Sequence, residues 1–537
     1  MVAAARGRRQ ERASSAALPE SVWIGLLIGA FALYYVTPWL PLSLLTLALC
    51  AVLCYVQLPL ATSLVPLAMP FFMLPKHLGR LEFSLGETAI VLCCVAYVVG
   101  RTLQRRRWGT GLGSMVRRYV PASPLERAVA LFLAAATVAT LTAHFRHVAL
   151  REYRLVILEP IAYYVLALAL LRDTRAMARA VWAVAGAGLF VAVLGLGQDG
   201  VRPDTLTGAY WVGHTVHPLH LITSVYGSPN NLGLLLDRAI PIAVVLGLAV
   251  LARAHSRHAE GPAWPAYLAW LALVPMAAAL LLSESRGGII TATAVSLAAA
   301  LLWRGRRQPR LELAGLGLVV LGAAAVLWNL RHGLSAIARV HVWLSALAMI
   351  RDHPLLGVGP DNFLYYYVNP RAIDPHNAAA SNCPALPRVL PAPHYLDLRD
   401  AWQEPCLSHP HNVVLDTWLS TGLLGLVALA LVLVGFAMLA RRNLRVCGAG
   451  WPRAVQVGCC AIVLATLVHG LVDNSIFVPD LAVAFWLALA LTSVVSNQYP
   501  DPVASHVGST AVVTGKVASV WDPSTTPGNP TGLGTRW

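Results

Sequence analysis

The chain has 537 residues, of which 57% are hydrophobic and only 12% are charged, whereas an ordinary soluble domain has about 25% charged residues. This composition, with a mean hydropathy of +0.63, requires many segments that are apolar on all sides. It excludes a soluble globular enzyme, a disordered chain and a nucleic-acid-binding domain. The net charge of +15 comes mainly from arginines that flank apolar runs, so we attribute it to membrane topology and not to nucleic acid.

Fourteen apolar runs predict an all-α polytopic membrane protein with about 12–14 transmembrane helices. The runs lie at 22–38, 41–57, 60–75, 84–100, 127–144, 153–171, 178–197, 232–252, 263–283, 286–303, 312–329, 412–440, 454–472 and 479–497. The second and third runs are short and interrupted by proline, so twelve or thirteen helices are also compatible with the pattern.

The distribution of basic residues predicts the orientation of these helices. If the N-terminus is cytoplasmic, the inner connections collect 24 basic residues and the short outer connections only six. Because basic residues are retained on the cytoplasmic side, we expect both termini to be cytoplasmic. The basic N-terminus has no small-residue cleavage site, which favours an uncleaved first span over a signal peptide.

The predicted organisation alternates membrane helices with two long outward segments. In order, it comprises a cytoplasmic basic N-terminus (1–21), N-terminal transmembrane helices (22–197), an extracytoplasmic loop (198–231), central transmembrane helices (232–329), a large extracytoplasmic loop (330–411), C-terminal transmembrane helices (412–497) and a disordered cytoplasmic tail (498–537). The large loop is rich in proline and histidine, and loops of this length are usually functional. It contains Cys383 and Cys406, which an oxidising exterior would permit to form a disulfide.

The strongest local motif is His409-Pro410-His411-Asn412, where the large loop re-enters the membrane. Asn412 is a good helix N-cap, and the rigid proline would hold His411 at the mouth of the helix. A neutral histidine there could accept a proton from an attacking hydroxyl, although an interfacial structural residue is an equally plausible reading. Gly422 and Gly425 follow, and we expect them to let a neighbouring helix approach closely.

Two arginines are candidates for binding a diphosphate. Arg286 opens a span in the sequence SESRGG, where the two glycines would bare the backbone, and Arg339 follows the eleventh span. Arginines that converge from the outer face would suit a pyrophosphate leaving group. Taken alone, a snorkelling Arg286 and an Arg339 on an amphipathic surface helix are the simpler interpretations.

Other candidates are weaker. His469 and Asp473 are four residues apart, which predicts a shared helix face on which they orient a substrate hydroxyl or satisfy each other. The segment 226–231 is typical of a turn and helix cap. Asp237 and Arg238 lie inside a span, where we expect them to pair with each other or with another helix.

The sequence gives no metal or nucleotide motif, so we expect no cofactor. The histidines of the large loop have none of the usual ligand spacings, and the single GxGxxG match ends a membrane span instead of following a strand.

In this order, the motifs resemble the O-antigen ligase and O-antigen polymerase superfamily. The resemblance rests on five features over about 225–475: SRGG around Arg286, Arg339 with Trp343, DHPLLGVGPDNF from Asp352, His411-Asn412 followed after nine residues by Gly-x-x-Gly, and HGLVD at the C-terminal end.

The resemblance implies a metal-independent, inverting membrane glycosyltransferase of the bacterial cytoplasmic (inner) membrane. Its donor would be a glycan linked to undecaprenyl diphosphate, and its acceptor a hydroxyl of a lipid or saccharide outside the membrane. Arg286 and Arg339 would hold the diphosphate, His411 would activate or position the acceptor, and His409, Asn412, His469 and Asp473 would support the site.

Two other interpretations of the function stay open at this point. A polymerase of the same superfamily, or a protein-glycosylating relative, shares these motifs. A transporter or flippase of lipid-linked sugars would also need many helices, but it usually shows repeat symmetry and short outer loops.

Overall fold

A computed structural model places a helix on each of the fourteen predicted apolar runs. It describes residues 18–79, 81–108, 123–201, 207–212, 215–254, 264–305, 308–329, 334–369, 390, 393–396 and 406–499. The tail predicted at 498–537 and the N-terminus predicted at 1–21 lie almost wholly outside the described residues.

The N-terminal half contains α1 to α8 and one short hairpin. Its helices are α1 (Glu20–Val36), α2 (Leu40–Val56), α3 (Leu58–Leu64), a 3₁₀ helix (Val65–Met73), α4 (Leu85–Trp108), α5 (Pro124–Thr142), α6 (Arg146–Glu152), a π-helical stretch (Tyr153–Leu158), α7 (Glu159–Leu170) and α8 (Thr174–Val201). The strands β1 (Lys76–Leu78) and β2 (Leu81–Phe83) pair antiparallel, with His77 opposite Glu82.

The C-terminal half contains α9 to α17. After the antiparallel pair β3 (Thr207–Val212) and β4 (Thr215–His220) and a 3₁₀ turn (Ser224–Tyr226) come α9 (Pro229–Ala254), α10 (Trp264–Leu282), α11 (Arg286–Arg304), α12 (Pro309–Asn329), α13 (Leu334–Asp352), α14 (Phe363–Tyr367), α15 (Val413–Val446), α16 (Trp451–His469) and α17 (Pro479–Gln498).

The chain is therefore an all-α polytopic membrane protein. Ten of the described helices are long and apolar enough to cross a membrane, or eleven if α2 and the segment Leu58–Met73 form one bent span. These two segments meet at an angle of 113°. The predicted count of 12–14 is reached only when the shorter helices α1 and α10 are added to these eleven.

The core of the bundle is formed by α9, α16 and α17. Within the window that best fits a membrane span, 94% of α17 is buried inside the protein, and 78% of α9 and of α16. In contrast, α15 keeps one side exposed and packs its other side along α5, where Gly435 comes close to Leu125. These three helices are packed on all sides, so the residues at their ends have fixed positions.

The predicted loop 330–411 begins with a long helix. Helix α13 extends from Leu334 to Asp352, and α14 follows after one connection. Most of the remaining loop lies outside the described residues, so the predicted domain boundaries stay predictions.

Cys406 is disulfide-bonded and the other seven cysteines of the described part are free. Cys383, its predicted partner, lies outside the described residues.

Candidate functional site

Three elements bring the candidate residues to one end of the bundle, which we call the site end. Helix α11 begins at Arg286, α15 begins directly after Asn412, and α16 ends at His469. The connection from α16 to α17 then carries Asp473 across this end. Residues that are far apart in the sequence therefore come together because the helices alternate in direction.

His411 is held in an unusual backbone conformation. Its φ is +48°, in the left-handed region that side-chain-bearing residues adopt only when surrounding contacts compensate. The next residue, Asn412, caps α15: its Oδ1 accepts from the backbone N–H of Val414 at 3.0 Å, and its Nδ2 donates to the carbonyl of Leu471 at 3.0 Å. The Val413 N–H donates to the Gly470 carbonyl at 2.6 Å. The start of α15 is thus fixed to the end of α16.

His411 forms a short hydrogen bond with Asp473. Its Nδ1 lies 2.6 Å from Oδ1 of Asp473, which also accepts from the Asn474 N–H at 2.8 Å. Burial alone would raise the pKa of Asp473, but His411, Arg339 and His469 together hold that pKa below its usual range. An ionised Asp473 favours the proton on Nδ1 of His411, and in the neutral imidazole Nε2 is then the hydrogen-bond acceptor. The side chain of His411 is 28% exposed, so a ligand can approach it.

Arg339 faces the other oxygen of the same carboxylate. Its guanidinium lies 3.7 Å from Oδ2 of Asp473, an atom that is buried without a hydrogen-bond partner. This distance is longer than a hydrogen bond, and the side chain of Arg339 is 20% exposed. Among the described residues this charge attraction is the one polar contact of the Arg339 side chain, so its donors are available for an anionic ligand.

The prediction that His469 and Asp473 share a helix face was wrong, and they do not satisfy each other. Helix α16 ends at His469, so Asp473 lies in the following turn and contacts His411. His469 instead pairs with Asp237 of α9, at 2.6 Å between Nδ1 and Oδ2. The spacing of four residues was read as helical, but Gly470 follows the last helical residue and the chain turns there.

The buried pair Asp237 and Arg238 joins α9 to α16, which confirms the predicted pairing. Their side chains lie 2.9 Å apart with no exposure to solvent. Arg238 also donates to Oγ1 of Thr466 at 3.1 Å and to the carbonyl of Ser475 at 3.2 Å. Because an unpaired buried charge is expensive, this network fixes the connection that carries Asp473.

The two glycines after Arg286 serve close packing. A Cβ at Gly287 would lie 2.6 Å from Nε2 of His469, and one at Gly288 would lie 3.1 Å from Cα of Gly233. Gly288 is buried against the neighbouring helix, whereas Gly287 keeps part of its surface exposed, so the expectation that the backbone is bared for a ligand stays a prediction for Gly287. Arg286 itself is exposed, and within the described part of the chain its side chain forms no hydrogen bond or ion pair.

The prediction that Gly422 and Gly425 let a neighbouring helix approach was also wrong, since the Gly-x-x-Gly motif does not bring two helices together. Gly422 interrupts α15 with φ +72°. A Cβ added at this residue would lie 2.2 Å from the carbonyl oxygen of Leu355, so only glycine fits there. The kink frees the Leu419 carbonyl, which accepts from Val358 at 2.8 Å, and the Leu423 N–H, which donates to Leu355 at 3.1 Å. The motif thus binds the loop after α13. Gly425 faces its own helix at Thr421.

A second cluster of charges surrounds His409, and sequence reasoning missed most of it. Nδ1 of His409 lies 3.1 Å from Oδ2 of Asp416, and Glu152 and Asp361 interact with it electrostatically. Burial disfavours the charged imidazole, but these carboxylates outweigh it and raise the pKa of His409 to about 9. The feature of the sequence that could have indicated this cluster is the placement of carboxylates at the ends of apolar helices.

The stability of the protein should depend on pH through His409. The ordinary pKa of histidine is 6.5. The contribution of protonated His409 to the free energy of unfolding is therefore fully present below pH 6.5 and is lost as the pH rises through about 9. We expect the melting temperature to fall over this interval in wild type and less in His409→Gln, with about 1.4 kcal/mol per pKa unit as the upper limit. If the melting temperatures of wild type and His409→Gln fell in parallel with pH, this role of His409 would be contradicted. His77→Gln, on the exposed hairpin, is the control.

No three His, Cys, Asp or Glu side chains in the described ranges are grouped closely enough to hold a metal ion. Metal independence stays a prediction.

The comparisons with known proteins agree with these motifs. Residues 271–430 match the family model described as O-antigen ligase. The resemblance to the O-antigen ligase and polymerase superfamily is confirmed. The matched region covers less than a third of the chain and contains Arg286, Arg339 and His411, whereas Asp473 lies beyond it. No curated protein matches the chain at a significant level.

The family match and the helices together give the general class. They indicate a multi-pass bacterial membrane protein that is similar, over residues 271–430, to O-antigen ligases, which are membrane glycosyltransferases. The substrates of this class are lipid-linked glycans.

Proposed function

We propose that this protein is an O-antigen ligase that moves a glycan from undecaprenyl diphosphate to an acceptor hydroxyl on the outer face of the cytoplasmic membrane. The observation that carries the proposal is the hydrogen bond of 2.6 Å between His411 and Asp473, with Arg339 beside the same carboxylate. A histidine that can act as a base, with a cation beside its carboxylate partner at one end of the membrane bundle, supports this proposal.

The base is Nε2 of His411. It takes the proton of the acceptor hydroxyl while the hydroxyl oxygen attacks the anomeric carbon of the glycan, and the bond from that carbon to the diphosphate oxygen breaks. Attack opposite the leaving group inverts the anomeric carbon. Asp473 stabilises the imidazolium that forms, because it accepts from Nδ1 throughout.

The leaving diphosphate carries negative charge that must be neutralised. Arg339 supports this role through its partly exposed donors, and Arg286 through its exposed side chain at the N-terminus of α11, where the helix dipole adds positive potential. His469 and Asn412 hold the backbone around these groups, and His409 holds the turn before His411.

A deletion strain distinguishes the members of the superfamily. The surface glycan is sized on a gel, before and after mild acid that cleaves the diphosphate linkage. Long chains left on the acid-labile carrier would support the ligase, while single repeat units would identify a polymerase. Unchanged glycan would contradict both.

Replacing Arg339 by lysine should impair transfer although the charge is kept. Lysine presents one compact ammonium and loses the planar pair of donors that fits a diphosphate, so we expect a loss of about tenfold or more in kcat/KM for the lipid-linked donor. The measurement is transfer by purified protein in nanodiscs. Arg351→Lys, on an 88% exposed side chain of the same helix, is the matched control. Equal activity of wild type and Arg339→Lys would remove Arg339 from the site.

A transporter of lipid-linked sugars is the alternative from another class. The bent pair of α2 with Leu58–Met73 favours a transporter, since transporters use broken helices. However, a second such pair in a corresponding position, as repeat symmetry requires, does not occur among the described helices.

A further inference from the structure

The motif DHPLLGVGPDNF, from Asp352 to Phe363, is not used by the proposed chemistry. Its residues 353–358 form one wall of a cleft of about 410 Å³, and residues 139–144, at the end of α5, form the opposite wall. This volume lies within the range of small-molecule binding sites. The cleft lies at the site end, because the same residues bind the kink of α15 at Leu419 and Leu423.

The two walls of the cleft are fixed to each other. Oδ1 of Asn362, a fully buried residue, accepts from the Phe145 N–H at 3.0 Å. Gly359 has φ +94°, and a Cβ there would lie 2.5 Å from the Cβ of Ala143. Trp418 ties the motif to α15 by donating to the carbonyl of Pro354 at 2.7 Å. The cleft is therefore a built feature with preset width and not a gap between loosely placed loops.

The lining of the cleft indicates the chemistry of its ligand. It contains no Asp, Glu, Lys or Arg, so it does not suit a phosphate or another ion. His353 and Tyr366 form an edge-to-face pair with ring centres 5.4 Å apart, and Leu355 adds apolar surface that is 69% exposed. His144 and Thr142 supply hydrogen-bonding groups at the rim. A sugar ring matches this combination, because it has an apolar C–H face and a rim of hydroxyls.

We propose that this cleft binds a neutral saccharide unit of the acceptor, separately from the diphosphate at the arginines. The saccharide packs its apolar face on Leu355 and on the ring of His353, which the buried Tyr366 holds in place by its edge-to-face contact, and its hydroxyls bond to His144 and to the ring nitrogens of His353. Its description as the acceptor rests on the proposed function, whereas saccharide binding itself does not.

The test is a chemical footprint that needs no turnover. Wild-type protein is placed in nanodiscs made from the total lipid extract of its native membrane, or from the same extract after periodate oxidation and borohydride reduction, which destroy sugar rings and keep the lipid. Diethyl pyrocarbonate modification of each histidine is then measured by mass spectrometry. His147, which is exposed and does not line the cleft, is the internal control.

Protection of His144 and His353, but not of His147, by the intact extract alone is the expected result. Protection by both extracts would overturn the proposal in favour of an apolar chain, and protection by neither would overturn it outright. These outcomes do not depend on transfer, so they are distinguishable from a failure of the proposed function.

Kinetics provide the second measurement. We expect His353→Ala and His144→Ala to raise the KM for the acceptor roughly three- to tenfold, the effect of one neutral hydrogen bond, with kcat and the KM for the donor unchanged. His147→Ala should match wild type. An equal rise for donor and acceptor would show that the cleft acts on folding and would contradict an acceptor subsite.

Discussion

Replacement of His411 by alanine is expected to reduce transfer by about 10²–10⁴-fold, the usual contribution of a general base, while the protein stays folded and inserted. The side chain is partly exposed and the cap of α15 is supplied by Asn412, so little packing is lost. The measurement is single-turnover transfer from the lipid-linked donor in nanodiscs. His77→Ala, on the exposed hairpin, is the matched control. Full activity of His411→Ala would remove this residue from the mechanism.

Asp473→Asn tests the partner of this histidine. The neutral amide no longer favours the proton on Nδ1, so we expect a loss of up to about 10⁴-fold, no larger than for His411→Ala. If the two residues act as one unit, the double variant is no worse than His411→Ala alone. Additive losses would show that Asp473 acts through Arg339 instead.

Gly422→Ala is expected to destabilise the protein strongly. The backbone conformation of Gly422, with φ +72° and ψ 179°, is open essentially only to glycine and costs alanine about 1–3 kcal/mol, and displacement of the Leu355 carbonyl adds about 1–3 kcal/mol. We expect a clear fall in the melting temperature of the purified protein. Gly317→Ala is the control, because nothing lies within 4 Å of its Cβ position in α12. An unchanged melting temperature of Gly422→Ala would contradict the role assigned to the kink.

Gly422 also illustrates how the sequence can identify a residue and miss its purpose. The Gly-x-x-Gly spacing was visible, and close approach was expected, but the approaching element is a loop and not a helix. A glycine in a helix-like apolar run gives no sign of its φ angle, because the kink is held by hydrogen bonds of Leu419 and Leu423 to Val358 and Leu355, which lie over 60 residues earlier in the chain. The same applies to Gly287, whose neighbour His469 comes from another helix.

The membrane class, the positions of the helices and the cap at Asn412 could be predicted from the sequence, which also identified His411, Arg286 and Arg339 as candidates. These predictions rest on local properties, since apolar runs, capping side chains and interruptions by proline act within a few residues of the chain. The pairing of Asp473 with His411 and of His469 with Asp237 emerged only from the packed helices. These pairs span 62 and 232 residues, so their choice depends on how whole helices pack and not on any spacing along one of them.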